Sequence, residues 1–211
     1  MYRRRGPAIP RPARSTQVDL ASGLADLRNG RLWAAYATSG LIIGATFAAF
    51  SYVTAIFTEV TGLAPRLIPI VLAAYELATV IGNLIIGRLA DRYTIPVLAI
   101  GLVILAAALA SFAAFPTDAA VSVAAFLVIG LTGVSLNPAM VARVMRAAHP
   151  GPLVNSLHTS VITAGLALGT WLGGLAIDHG YGLAAPLWIG AGLAVLGLLS
   201  LTPRQARELA A

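Results

Sequence analysis

Six apolar stretches, at residues 32–58, 65–86, 95–115, 119–141, 153–177 and 181–201, constrain this chain more than any other feature. Each holds roughly 20 residues or more, enough for a helix rising about 1.5 Å per residue to cross a hydrocarbon core. None alternates apolar with polar, so none reads as one of the ~10-residue strands of a membrane barrel. Charged residues make up only 10% of the 211-residue chain, against about 25% in a soluble domain. Too few charges remain to clothe a water-facing surface. The expected fold class is an all-α membrane protein of six transmembrane helices.

The connections are short and rich in helix breakers: Thr61, Gly62 and Pro65, then Pro96, then Pro116, Thr117 and Asp118, then His149 to Pro152, then Asp178, His179 and Gly180. None is long enough for a separate soluble domain. The expected organisation is a basic, mostly disordered cytoplasmic tail at 1–31, a six-helix bundle at 32–201 and a cytoplasmic tail at 202–211.

All fourteen basic residues are arginine, and the net charge is +6. Their positions argue for topology rather than for nucleic acid. With the tail inside, the inner side holds Arg3, Arg4, Arg5, Arg11, Arg14, Arg28 and Arg31, then Arg88, Arg92, Arg143, Arg146, Arg204 and Arg207. The outer side holds only Arg66. This bias toward the cytoplasmic loops calls for an even number of crossings and two inner termini. No apolar core of ~7–15 residues follows the first arginines, so the tail is not a secretory signal. The absence of cysteine excludes disulfide scaffolds, thiolate metal sites and cysteine nucleophiles.

The loop after the second stretch runs from Gly82 and Asn83 to Gly87, Arg88, Leu89, Ala90, Asp91 and Arg92. Its Gly-x-Leu-Ala-Asp-Arg resembles the cytoplasmic loop motif of the major facilitator superfamily. The next residues, Thr94, Ile95 and Pro96, replace the glycine and basic pair with which that pattern continues. This is expected of the second, less complete copy, between helices eight and nine of a twelve-helix protein. Segments 27–33, 47–52, 58–63, 172–180 and 185–188 resemble the seventh, eleventh and twelfth helices of the proton-coupled drug and sugar efflux branch, of the arabinose-efflux-permease kind. The resemblance covers most of 27–201 and implies the C-terminal six-helix half of a transporter. Residues Gly82, Gly87, Arg88, Asp91 and Arg92 then form a gating motif. Gly87 would let two helix ends approach, Asp91 would accept hydrogen bonds at a neighbouring helix N-terminus, and the arginines would hold the loop inside.

Further candidates come from the residues themselves. Glu76 lies near the middle of the second stretch, where an ionised carboxylate costs about 2.5–3.5 kcal/mol on insertion scales. It therefore faces protein or water, as a proton carrier or as a protonated packing group. Thr79 and Asn83 follow at helical spacing, suggesting a polar cavity wall. His158 is either a proton relay or an interfacial histidine reachable by water. Tyr52 lines a substrate cavity or bonds between helices, with Ser51 and Thr54 nearby. Asn137 and Pro138 interrupt the fourth stretch with a kink that either faces the substrate cavity, with Asn137 in its wall, or is purely structural. Gly165, Gly169 and Gly173, and Gly190, Ala194 and Gly197, form close-packing faces.

The function expected is solute transport by alternating access at a midplane site between two six-helix halves. It would be proton-coupled efflux of a drug- or sugar-class molecule across the cell membrane. The partners expected are a small-molecule substrate, protons, the bilayer, and an N-terminal half or a second copy; no nucleic acid, cofactor, metal or catalytic residue is expected. Two other classes stay open. One is a non-transporting docking subunit or inactive remnant. The other is an intramembrane serine hydrolase, against which stands the lack of a glycine two residues before Ser39 or Ser160.

Overall fold

The computed structural model describes residues 25–149 and 151–201; the segment 1–24 and the chain end 202–211, with Arg204 and Arg207, lie outside the described residues. Helix α1 spans Gly30–Phe50 and starts where the Asn29 side chain accepts from the Arg31 amide at 3.0 Å. A polar side chain at this position satisfies one of the amides that a helix start leaves unpaired. The helix breaks at Ser51 and Tyr52, then continues through one turn, Val53–Ala55, and a π-helical stretch, Ile56–Val60. After a 3-10 turn at Pro65–Leu67 comes α2, Ile68–Ala114. Asp118 caps α3, Ala119–Thr132, by accepting from the amides of Ala120 and Val121. A 3-10 turn at Val134–Leu136 leads into α4, Asn137–Ala147, followed by α5, Pro152–Asp178, and α6, Ala185–Leu199.

Among the described residues, four helical runs are long and apolar enough to cross a membrane: Gly30–Val60, Pro65–Ala114, Ala119–Ala147 and Pro152–Asp178. Ala185–Leu199 is a shorter apolar helix. The stretches at 65–86 and 95–115 both fall within α2, which is two helices meeting at a kink at Tyr93, where φ is −128° and ψ 41°. Residues 87–92 are compatible with helix, and Pro96 falls in the first turn after the break, where its missing N–H forfeits no bond. The last stretch, expected over 181–201, narrows to 185–199 because Gly180 and Gly182 both adopt φ of 82°. That left-handed backbone is open to glycine and costly inside a right-handed helix.

The kink expected from Asn137 and Pro138 is present, in the turn that precedes the proline, where its ring would meet the i−4 carbonyl of Val134. The interruption lies at Gly133, with φ −77° and ψ −99°, and Pro138 sits in the first turn of α4, where proline is tolerated. The Ser135 hydroxyl donates to the Gly130 carbonyl at 2.6 Å and also reaches the Thr79 carbonyl at 3.0 Å. A freed carbonyl is thus satisfied inside the bundle, as a lipid environment requires.

Two devices hold the helices together. On the face of α1 toward α2 and α3, Tyr75 stacks on Phe126 at 4.5 Å, Phe50 meets Tyr75 at 5.1 Å, and Phe57 meets Phe112 and Phe126 at 5.4 Å each. On the other side α1 and α5 touch backbone to backbone. A Cβ on Gly165 would lie 2.3 Å from the Gly40 carbonyl oxygen, and one on Gly169 would lie 2.1 Å from that of Gly44. The expected close-packing face on α5 is therefore a ladder of small residues against α1. On α6, a Cβ at Gly190 would lie 2.6 Å from the Ala45 carbonyl oxygen. Lipid tails are as apolar as leucine, so close van der Waals approach, rather than hydrophobic burial, binds such helices.

Candidate functional site

Among the described residues, α5 carries a polar, exposed face. Along α5, Asn155, Ser156, Thr159, Ser160 and Thr163 are exposed at three- and four-residue spacing, hence on one side. Three of the hydroxyls turn back onto their own helix: Thr159 donates to the Asn155 carbonyl at 3.1 Å, Ser160 to that of Ser156 at 2.9 Å, and Thr163 to that of Thr159 at 3.0 Å. These three hydroxyl protons are thus satisfied without solvent, and each oxygen keeps acceptor capacity toward whatever faces the helix. Farther along, the exposed residues become Ala164, Ala167, Leu168 and Trp171.

On α2, Glu76 and Asn83 are exposed, seven residues and nearly two whole turns apart, so they share a face. Thr79 does not join them. Three residues on from Glu76 it is rotated by about a sixth of a turn, its Oγ1 is enclosed, and its carbonyl accepts the Ser135 hydroxyl. The expected three-residue wall is reduced to two.

Tyr52 and Ser51 sit at the α1 break and brace it against α5. The Tyr52 hydroxyl donates to the Thr170 carbonyl at 2.8 Å, and the Ser51 and Thr170 hydroxyls are 2.8 Å apart. A Cβ on Gly173 would lie 2.8 Å from the Tyr52 ring, so that glycine makes room for it. Of the two readings of Tyr52, the interhelical bond is present. Tyr52→Phe is expected to lower bundle stability by about 0.6 kcal/mol, the average for such bonds in membranes; titrated unfolding of the purified protein in mixed micelles checks it, and an unchanged midpoint contradicts it. Asn137 is exposed at the start of α4.

His158 is 3% exposed, so it is not the water-reachable residue that its distance from the helix end suggested. Its Nε2 lies 3.0 Å from the Ser39 hydroxyl, and its ring stacks on Tyr36 at 5.9 Å. Tyr36 in turn donates to the Val154 carbonyl at 2.8 Å. Together these groups tie α1 to the first turns of α5.

The loop motif behaves only partly as expected. Gly82 is the tight glycine, since a Cβ there would lie 2.4 Å from the Leu131 carbonyl oxygen, whereas Gly87 has open space around it and allows no close approach. Arg88 is exposed, and the Arg92 guanidinium lies 5.2 Å over the Tyr93 ring. Asp91 acts through its backbone, its carbonyl accepting from the Arg146 guanidinium. Among the described residues no helix N-terminus donates to its carboxylate.

Arg143 escaped the sequence reading, which placed it among the inner-side topology charges. It is 4% exposed and donates to the Thr38 hydroxyl and to the Ser200 carbonyl, at 3.4 Å for the latter. It thereby joins α4 to α1 and to the carboxyl end of α6, where a cation is favoured by the helix dipole. A signal existed: Ala139, Met140, Arg143 and Val144 fall on one helical face, and all are buried. At the same end, Asn29 donates to the Ala147 carbonyl at 2.7 Å and Asp26 accepts from the His149 amide at 2.8 Å. The last residues of the expected disordered tail are thus fastened to the end of α4.

The description of one protein family, the Major Facilitator Superfamily, matches residues 3–210. The chain belongs to the Major Facilitator Superfamily. Within that superfamily it is 30% identical to the "Uncharacterized MFS-type transporter YtbD" of Bacillus subtilis, over 93% of this chain and 51% of that protein. It is 27% identical to the "Chloramphenicol resistance protein" of Streptomyces lividans, over 85% of this chain and 46% of that protein. It is 28% identical to the "Inner membrane transport protein YdhP" of Escherichia coli K12, over 91% of this chain and 50% of that protein. The chain spans about half the length of the curated relatives it matches. No solved structure matches it significantly. Superfamily membership and these names make it a multi-pass membrane protein related to membrane transporters.

Proposed function

We propose that this chain forms the C-terminal, six-crossing half of an alternating-access transporter that expels a small drug- or sugar-class molecule in exchange for protons. Six crossings follow if α2 is folded back at Tyr93. A straight helix of its 47 residues would measure about 70 Å, more than twice a ~30 Å hydrocarbon core. With α6 as the last crossing, both termini lie on one side, and the arginine bias makes that side cytoplasmic. The membrane is then the cell membrane, with residues 1–31 as a connecting segment, 32–201 as the bundle and 202–211 as a tail.

The observation that carries this reading is polar exposure on helices long enough to span lipid, Asn155 to Thr163 along α5 and, on a separate helix, Glu76 of α2. Lipid solvates an exposed carboxylate or side-chain amide poorly, and Glu76 and Asn155 present these. Such a surface is stable against water in a translocation path or against a second half of comparable size, which is the length the relatives carry beyond this chain. In this reading Glu76 and His158 are the proton-handling groups, and Tyr52, Thr79, Asn83 and Asn137 contribute to the wall or its support. Gly82, Gly87, Arg88, Asp91 and Arg92 belong to the loop that opens and closes the cytoplasmic side. No covalent chemistry is assigned to the chain.

The test uses everted membrane vesicles containing the full chain, alone and with a six-helix N-terminal half of a relative supplied in trans. Substrate-dependent dissipation of an imposed pH gradient is read by a fluorescent probe, with chloramphenicol and a sugar panel as substrates. Proton flux with at least one compound, lost in Glu76→Gln, is expected. Absence of flux from both preparations, despite correctly inserted protein, sinks the proposal.

A further inference from the structure

At the end of the bundle away from the arginine loops, α5 and α6 differ greatly in length. Helix α5 has 27 residues and α6 has 15, or about 40 Å against about 22 Å. The shorter helix falls below the ~30 Å hydrocarbon thickness, and part of the difference falls where the chain turns, because Pro186 at the start of α6 meets Gly173, five residues before α5 ends. Ala176, Tyr181, Ala184, Ala185, Trp188 and Ile189 line an open groove of about 450 Å³ at that turn. The three alanines carve it, and two large aromatics stand at it, Tyr181 77% and Trp188 55% exposed. Among the described residues neither the Tyr181 hydroxyl nor the Trp188 indole N–H has a hydrogen-bond partner.

The surroundings point to one occupant. The exposed face of α6 continues from Trp188 through Gly192, Val195, Leu196 and Leu199 without a polar side chain. That is a lipid-facing surface, in contrast to the hydroxyl stripe of α5. Tyrosine and tryptophan with apolar bodies and free polar tips favour the level where acyl chains meet head groups. A helix shorter than the bilayer is accommodated by lipid drawn in beside it.

We propose that this groove seats one glycerophospholipid, an acyl chain lying against Ala176, Ala184, Ala185 and Ile189, and the ester and phosphate oxygens accepting from Tyr181 and Trp188. The seat depends only on the chain being embedded in a bilayer and stands apart from the transport reading. A resident lipid fills the space that the short helix leaves and keeps the α5–α6 turn at the membrane surface.

The test places the full chain in phosphatidylcholine vesicles whose acyl chains are brominated near the ester, and reads tryptophan emission. In Trp33→Phe/Trp171→Phe, Trp188 is the sole reporter; in Trp33→Phe/Trp188→Phe, Trp171 is. Trp188 is expected to lose more emission than Trp171, and to recover slowly when the vesicles are fused with an excess of unbrominated lipid. Adding Ala184→Leu, which fills the groove, is expected to make that recovery immediate. Quenching that disappears at once on dilution in the parent variant means exchanging boundary lipid only and overturns the proposal. An unquenched Trp188 overturns it too, because protein or water then covers the groove. Should Ala184→Leu fail to insert, the slow recovery of the parent variant decides alone.

Discussion

Gly169→Leu is expected to abolish assembly of the bundle, and Gly169→Ala to weaken it severely. Even the first added carbon would lie 2.1 Å from the Gly44 carbonyl oxygen and 2.7 Å from the Gly44 Cα. No flexible side chain stands in the way that could rotate aside, because both opposing atoms are backbone. The helices must therefore separate, and the loss spreads along the ladder to Gly165 on Gly40 and to Tyr52 on Gly173. Ordinary overpacking of a core costs about 1–3 kcal/mol, and a backbone clash shared by two helices belongs at or above the top of that range. The control is Gly87→Ala, in a helical position with nothing within 4 Å. Glycine in a helix interior is worse than alanine by roughly 0.5–1 kcal/mol, so this substitution is expected to be neutral or stabilising. Unfolding midpoints in micelles separate the two; equal midpoints for Gly169→Ala and Gly87→Ala would contradict the ladder.

The second large effect concerns Arg143. Thr38→Val removes an acceptor from a guanidinium that is 4% exposed. Leaving a buried charged donor short of a partner costs about 1–3 kcal/mol or more. Thr38 also faces the Ser200 hydroxyl at 2.5 Å, so the loss reaches the end of α6. Arg143→Met removes the donor itself and fills similar space with an apolar chain. The double variant Thr38→Val/Arg143→Met is therefore expected to be more stable than the sum of the single losses predicts, because no charge remains to be stranded. A double-mutant cycle on unfolding free energies measures this coupling. Losses that add within about 0.3–0.5 kcal/mol, as independent sites do, would show that the arginine does not depend on Thr38.

Much of this was legible without coordinates. Apolar length and the rarity of charge forced helices in lipid. The four-residue spacing of Gly165, Gly169 and Gly173 announced a packing face, and that face meets α1. The Gly-x-Leu-Ala-Asp-Arg at Gly87 to Arg92 pointed to the superfamily that the family match then showed. These signals are local: they depend on residue type and spacing within one helix, and a single strand of text carries both.

Other features depend on what a neighbouring helix presents, and no spacing within one element carries that. Gly82 is tight and Gly87 is free because Leu131 and Ser135 pass the first and nothing passes the second. Thr79 is enclosed while Glu76 and Asn83 are exposed because Ser135 passes on its side of the helix and donates to its carbonyl. His158 is sealed by Tyr36 and Ser39 although it lies close to a helix end. Arg143 and Arg146 look alike as inner-side charges, yet one is a buried tie between three helices and the other reaches the Asp91 carbonyl. The sequence alone determined the solvent, the helices and the family, since transfer into lipid is governed by composition and length. Only the tertiary structure decided which polar groups are enclosed and which stay open, since that depends on the side of each helix its neighbours cover.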